Sequence, residues 1–165
     1  MSKSILADNL RLVEPRYLHI NPTAIMIPNT SQSNKKLTIL IWVLRLIASG
    51  ILVQTLYFKF GAHPDSVALF TELGVEPYGR IGLGIAELIT AILILVPRTT
   101  AFGAILGLFL MIGAISTHLF IIGIEFRGDG GALFSLAVTC FLACLILCVI
   151  LKNHILTFLK STYAS

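Results

Sequence analysis

Charge is scarce in this sequence. Only 12% of its residues are Asp, Glu, Lys or Arg, about half the ~25% usual for a soluble domain. Hydrophobic residues make up 56%, and the mean hydropathy is +0.92. A chain this poor in polar groups cannot cover a water-exposed fold, so the composition implies an integral membrane protein with a single domain. Cysteine is sparse too, and none forms a Cys-x-x-Cys pair, which removes the paired-cysteine metal site. Cys140, Cys144 and Cys148 recur at helical spacing on one face, poorly aimed for a disulfide, and read as small buried apolar residues. The net charge of +4 comes from scattered lysines and arginines without interleaved aromatics, so no nucleic-acid partner is expected. There is no phosphate-binding glycine loop and no nucleophile elbow.

Long apolar runs are what the chain does have. Four can cross a bilayer core of about 30 Å, which takes about 20 helical residues. They are Leu37 to Phe58, Arg80 to Val96, Ala101 to Gly123 and Ala132 to Leu151. The runs are continuous rather than alternating, which argues against strands. Backbone groups in lipid must be paired within their own segment, which favours helices. The fold class read from this is all-α: an integral membrane four-helix bundle with a flexible N-terminal tail. Residues 1–36 are the tail, 37–151 the membrane domain and 152–165 a short C-terminal tail.

Proline and glycine punctuate the chain between the runs. Pro97-Arg98-Thr99-Thr100 makes the turn between the second and third runs, and GDGG (128–131) opens the fourth. Within the loop 59–79, PDSVALFTELG (64–74) reads as a short amphipathic helix on the membrane surface, capped by Asp65 or Ser66 and ended by Gly74. Lysine and arginine set the orientation. With the N-terminus in the cytoplasm, Lys3, Arg11, Arg16, Lys35, Lys36, Arg98, Lys152 and Lys160 lie inside. Lys59, Arg80 and Arg127 lie outside. Both termini are therefore expected in the cytoplasm.

Three ionisable residues interrupt the runs: Arg45, Glu87 and His118. A charge at the bilayer centre costs at least about 2.5 kcal/mol, so such groups face the bundle interior and find partners. At about 1.5 Å per residue, Arg45 lies about 12 Å from the inner edge. By the same rise, Glu87 and His118 lie about 11 and 8 Å from the outer edge. Arg45 is thus expected to reach up to Glu87, with His118 nearly level with it and Lys59 at the outer mouth. Arg45 and Lys59 share a face of the first run. Arg80, Gly84, Glu87 and Ala91 share a face of the second. Small residues, including Gly103-x-x-x-Gly107, let the helices approach. The residues alone leave two readings open. One is a polar pocket for a redox lipid or a proton. The other is a buried ion pair that only fixes helix register. His118 has no evident second axial ligand for haem, and no metal set is read.

YFKFGAHPDSVALFTELGVEPYGRIGLGIAELITAILILVP (57–97) resembles the core of DoxX-like membrane proteins. The matching elements are Arg45, then Lys59, then Leu73-Gly74-Val75-Glu76-Pro77, then Gly84-Ile85-Ala86-Glu87-Leu88. GAISTHLFIIGIEFRGDGGALFSLA (113–137) is similar to the third span, its loop and the fourth span of one branch, with Asp129-Gly130-Gly131 as the acidic-glycine turn. The chain ends in LKNHILTFLKSTYAS where many members carry a glycine-rich segment with a Tyr-Ser-x-Asp element. The resemblance implies a four-helix bundle in the bacterial inner membrane. It also implies an accessory role in quinone-linked oxidoreductases or thiol and oxidative-stress systems, with quinone as the cofactor to consider. Partners would be the lipid bilayer, other proteins of a membrane redox complex, or a second copy of the chain. Arg45, Glu87, His118, Lys59 and Asp129 form the candidate site. Alternatives are a non-enzymatic scaffold or assembly protein and a small-solute or proton transporter, for which four spans are few.

Overall fold

The computed structural model describes the backbone of residues 30–163 and the side chains of residues 35–152. Chain contacts separate Met1–Lys35 from Lys36–Ser165, and the second unit carries the apolar helices. The tail expected at residues 1–36, with any order around residues 5–13, lies largely outside the described residues.

Every described element is helical. They are α1 (Thr30–Phe60), α2 (Pro64–Glu72), α3 (Tyr78–Leu95), α4 (Thr100–Thr117), a π turn (His118–Ile122) and α5 (Ala132–Tyr163). Four segments are long and apolar enough to cross a membrane: Lys35–Phe60, Tyr78–Leu95, Thr100–Ile122 and Ala132–Lys152. They agree with the four apolar runs in number and order. The shortest has 18 residues, or about 27 Å of helix, close to the hydrocarbon thickness. Two boundaries differ from the expectation. Residues 30–36 are helical where a tail was expected, and α5 continues through residues 152–163. Polar residues propagate a helix whose nucleus is already paid for by its apolar neighbour, so hydropathy marks the span and not the helix end.

α2 forms where the amphipathic pattern placed it. Its cap differs, however: His63 Nδ1 accepts from the backbone N–H of Asp65. Pro64, at the first position, lacks only an N–H that the helix would leave unpaired. Phe70 is its buried anchor.

The core uses small residues where helices touch. It is built from Leu44, Ala48 and Leu52 of α1, Ala91 and Ile94 of α3, Ala104 and Met111 of α4, and Ala137, Cys140, Ala143, Cys144 and Leu147 of α5. A Cβ added at Gly103 would lie 2.6 Å from the Ile94 backbone nitrogen, and one at Gly107 would lie 2.7 Å from Cys144 Sγ. The glycine pair therefore seats α4 against α3 and α5 at backbone distance. Cys140 and Cys144 are fully buried in this packing, as the spacing implied.

Arg45 is the fastener at the C-terminal end of α3. Its Nε donates to the Ile94 carbonyl at 2.8 Å, and a guanidinium nitrogen donates to the Leu95 carbonyl. Thr100 adds a hydroxyl to Ile94 O at 3.1 Å, and Thr99 serves Leu93 O at 2.9 Å. The last carbonyls of α3 have no partner in their own helix, and the helix dipole makes that end attractive to a cation. The Arg45 guanidinium also stacks on Trp42, 3.9 Å from the ring centroid.

The close contact of Gly107 with Cys144 makes a reciprocal prediction. Gly107→Ala should lower the thermal unfolding temperature in detergent, at an overpacking cost of about 1–3 kcal/mol. Cys144→Ala removes the obstructing sulfur, so the double variant should unfold at a higher temperature than Gly107→Ala alone. Strictly additive effects would contradict this account.

Candidate functional site

The last turns of α1 carry Thr55 and Lys59, one turn apart on one face. They meet Glu87 on the facing side of α3. Lys59 Nζ lies 2.9 Å from Glu87 Oε2 and 3.1 Å from Oε1. Thr55 Oγ1 lies 2.7 Å from Glu87 Oε2 and 2.7 Å from the Leu52 carbonyl, so its one proton serves either acceptor. The side chains of Lys59 and Glu87 retain only 12% and 5% of their exposure. Ions this buried persist because they neutralise each other and hydrogen-bond in place.

A second set of contacts holds Lys59 at this level. Arg80 opens α3, pairs with Glu76 at 2.7 Å and donates to the Lys59 carbonyl. A Cβ at Gly84 would come within 3.1 Å of the Phe60 ring. The end of α1 is therefore locked to the start of α3, and the side chain of Lys59 has only one buried carboxylate within reach.

His118 enters from α4 through the π turn. The extra residue in that turn shifts the ladder by one, and such turns are common at functional sites. His118 is buried, with 5% exposure. Its Nδ1 lies 2.9 Å from the Gly123 carbonyl, and its ring meets Phe134 edge to face at 5.7 Å. Gly123 closes the turn at φ +83°, which an L residue adopts only under strain.

Asp129 organises the loop before α5. Its Oδ1 accepts from the Phe126 and Gly131 N–H groups, each at 2.9 Å, and its Oδ2 accepts from Leu133 N–H at 3.0 Å. Burial pushes its carboxyl upward, but the three backbone donors, helped by nearby His118, outweigh it and hold the group below the usual carboxylate range. Gly128, Gly130 and Gly131 all have positive φ, which lets the loop fold around that one carboxylate.

These residues surround a cavity of about 650 Å³ at the end of the bundle where α1 stops and α3 begins, within the range of small-molecule sites. Lys59, Glu87, His118 and Asp129 all lie on its wall, and most of the remaining lining is apolar. Arg45 does not. It was expected to stretch to Glu87, but it meets carbonyls two turns further along α3, about 10 Å away from Glu87's level. An arginine satisfied by the nearest buried acceptors gains nothing by extending.

Several members of the site escaped sequence reasoning. Thr55 lies one turn before Lys59 on α1, and hydropathy passes over it. Phe70 and Asp65 of α2 reach the cavity rim, and Asp65 meets Arg127 across it at 3.6 Å. Nothing in the sequence marks the π turn.

Two measurements follow. Lys59→Met or Glu87→Gln alone should destabilise the folded protein by about 3–5 kcal/mol, because each strands a buried partner. Lys59→Met combined with Glu87→Gln should cost less than the two losses added, as thermal unfolding in detergent would show. Asp129 gives a pH signature. Its lowered carboxyl contributes stability that is present above about pH 4, the ordinary Asp value, and is lost as pH falls through its lower folded value. Asp129→Asn should flatten the acid limb of an unfolding-temperature profile.

Comparison with known proteins agrees with this architecture. The model of the DoxX-like family matches residues 43–148, well over half of the chain and most of all four spans. Among curated proteins and among solved structures, none matches the chain. With four membrane-capable helices and a family match that includes both Lys59 and Glu87, the chain is a multi-pass membrane protein that belongs to the DoxX-like family.

Proposed function

We propose that this protein is an accessory subunit of a quinone-linked membrane system and that its outer cavity holds the head of a quinone-type lipid. The observation that carries this reading is the cavity itself. Apolar walls suit a neutral ring, and a few polar groups on one region of wall suit its oxygens. Lys59 keeps donor capacity after serving Glu87, since an ammonium has three N–H groups. Glu87 holds that ammonium charged at a depth where it would otherwise be costly. Phe58, Phe109 and Leu133 line the cavity and are also exposed, which supports entry of a ligand from the surrounding bilayer. In this reading the protein lies in the bacterial inner membrane with both termini in the cytoplasm, so that Lys59 and α2 face outward, beside protein partners of a redox complex.

One observation favours a second reading, the scaffold. Both oxygens of Glu87 are already engaged by Lys59 and Thr55, as a pair serving only helix register would be.

Quinone extraction separates the two. The protein is purified in mild detergent beside a Glu87→Gln variant of matched helicity, and each is extracted for mass spectrometry. A stoichiometric quinone in the native protein, reduced in the variant, is the expected result. Lipid alone in the native protein, with a variant that is merely less stable, would move the assignment to the scaffold.

A further inference from the structure

The quinone-head reading says nothing about redox state, and the geometry of His118 does. Nδ1 lies 2.9 Å from the Gly123 carbonyl. A carbonyl oxygen can only accept, so the ring proton must be on Nδ1. The neutral imidazole then has only a lone pair at Nε2, and Nε2 has no partner among the described residues. It is not sealed in either, because no fully buried side-chain nitrogen or oxygen among them lacks a partner. His118 is one of the residues that line the cavity, which brings a ligand there within reach of that lone pair.

We infer that the cavity is built for a ligand that donates a hydroxyl to His118 Nε2, and hence for the reduced, dihydroxy form of the ring over the oxidised, dicarbonyl form. This rests on the proposed quinone-head reading and adds its redox preference. Two polar stations on the wall behave differently, Glu87 and Asp129 being engaged already by Lys59, Thr55 and backbone N–H groups. Lys59 offers donors, which a carbonyl or a hydroxyl oxygen accepts equally well. His118 offers an acceptor, which a hydroxyl satisfies and a carbonyl does not. A carbonyl oxygen facing the Nε2 lone pair meets like with like, and the acceptor stays unpaired. The π turn makes this asymmetry durable. Gly123 ends it in a conformation that keeps its carbonyl on Nδ1, and the Phe134 ring packs edge to face on the imidazole. Turning the ring over to present the other nitrogen would lose the Gly123 bond.

The test uses three tail-less probes on the purified native chain in nanodiscs, without oxygen, at pH 8, above the ordinary imidazole range of about 6.5. The probes are tetramethylhydroquinone, tetramethylbenzoquinone and the dimethyl ether of the hydroquinone, with binding measured by calorimetry. The hydroquinone should bind roughly tenfold more tightly than either of the others, as expected for one added hydrogen bond. His118→Phe keeps an aromatic ring against Phe134 and should bind all three probes alike. Equal or tighter binding of the benzoquinone by the native chain would overturn the redox preference and leave the quinone-head reading standing. So would a hydroquinone preference that persists in folded His118→Phe. If the folded native chain binds none of the probes, the quinone-head reading falls and the preference falls with it.

Discussion

A membrane interior offers no water to an ion, and the Lys59–Glu87 pair is where this protein meets that constraint most directly. An ammonium and a carboxylate, both nearly buried, hold each other at 2.9 Å. Much of their end of the bundle follows from keeping them there. Arg80 pins the main chain of Lys59, Glu76 neutralises Arg80, and Gly84 lets the Phe60 ring close the joint. Taking away one ion would leave the other in a medium that solvates it poorly. The pair is thus both a cost and a specification: α1 and α3 have one register in which it is met.

The opposite end of the bundle solves a related problem with backbone instead of charge. The C-terminus of α3 leaves carbonyls unpaired within the bilayer, and Arg45, Thr99 and Thr100 satisfy them. Here a buried cation needs no carboxylate, because a helix end supplies partial negative charge. Arg45 and Lys59 share a helical face of α1 yet serve different partners at different depths.

How much of this could be read in the sequence varies by residue. Continuous apolar runs located all four spanning helices, since hydropathy over about 20 residues is dictated by bilayer thickness. The glycine pair 103 and 107 and the buried Cys140 and Cys144 followed from helical periodicity. Glu87 and His118 stood out as candidates because polar groups in apolar helices are few, whereas Asp129 lies in a loop and was singled out through the family resemblance. The partner of Glu87 was not legible. Periodicity gives a face and an approximate depth, and it suggested Arg45 for Glu87. The choice was decided by helix-end carbonyls whose location depends on where α3 stops. The π turn at His118 and the part played by Thr55 depend on tertiary packing, and neither leaves a mark in hydropathy.

The cavity lies at the end of the bundle that carries Lys59, Glu87 and His118. Further along the same helices, Leu44 and Ala48 of α1, Ala91 and Ile94 of α3, Ala104 of α4 and Cys140, Ala143, Cys144 and Leu147 of α5 fill the interior. The bundle is therefore graded along its length, roomy at one end and close-packed at the other. Tolerance for larger side chains follows that gradient: a bulky residue on the cavity wall has space to enter, and one at Ala48, Ala91 or Ala143 must push helices apart.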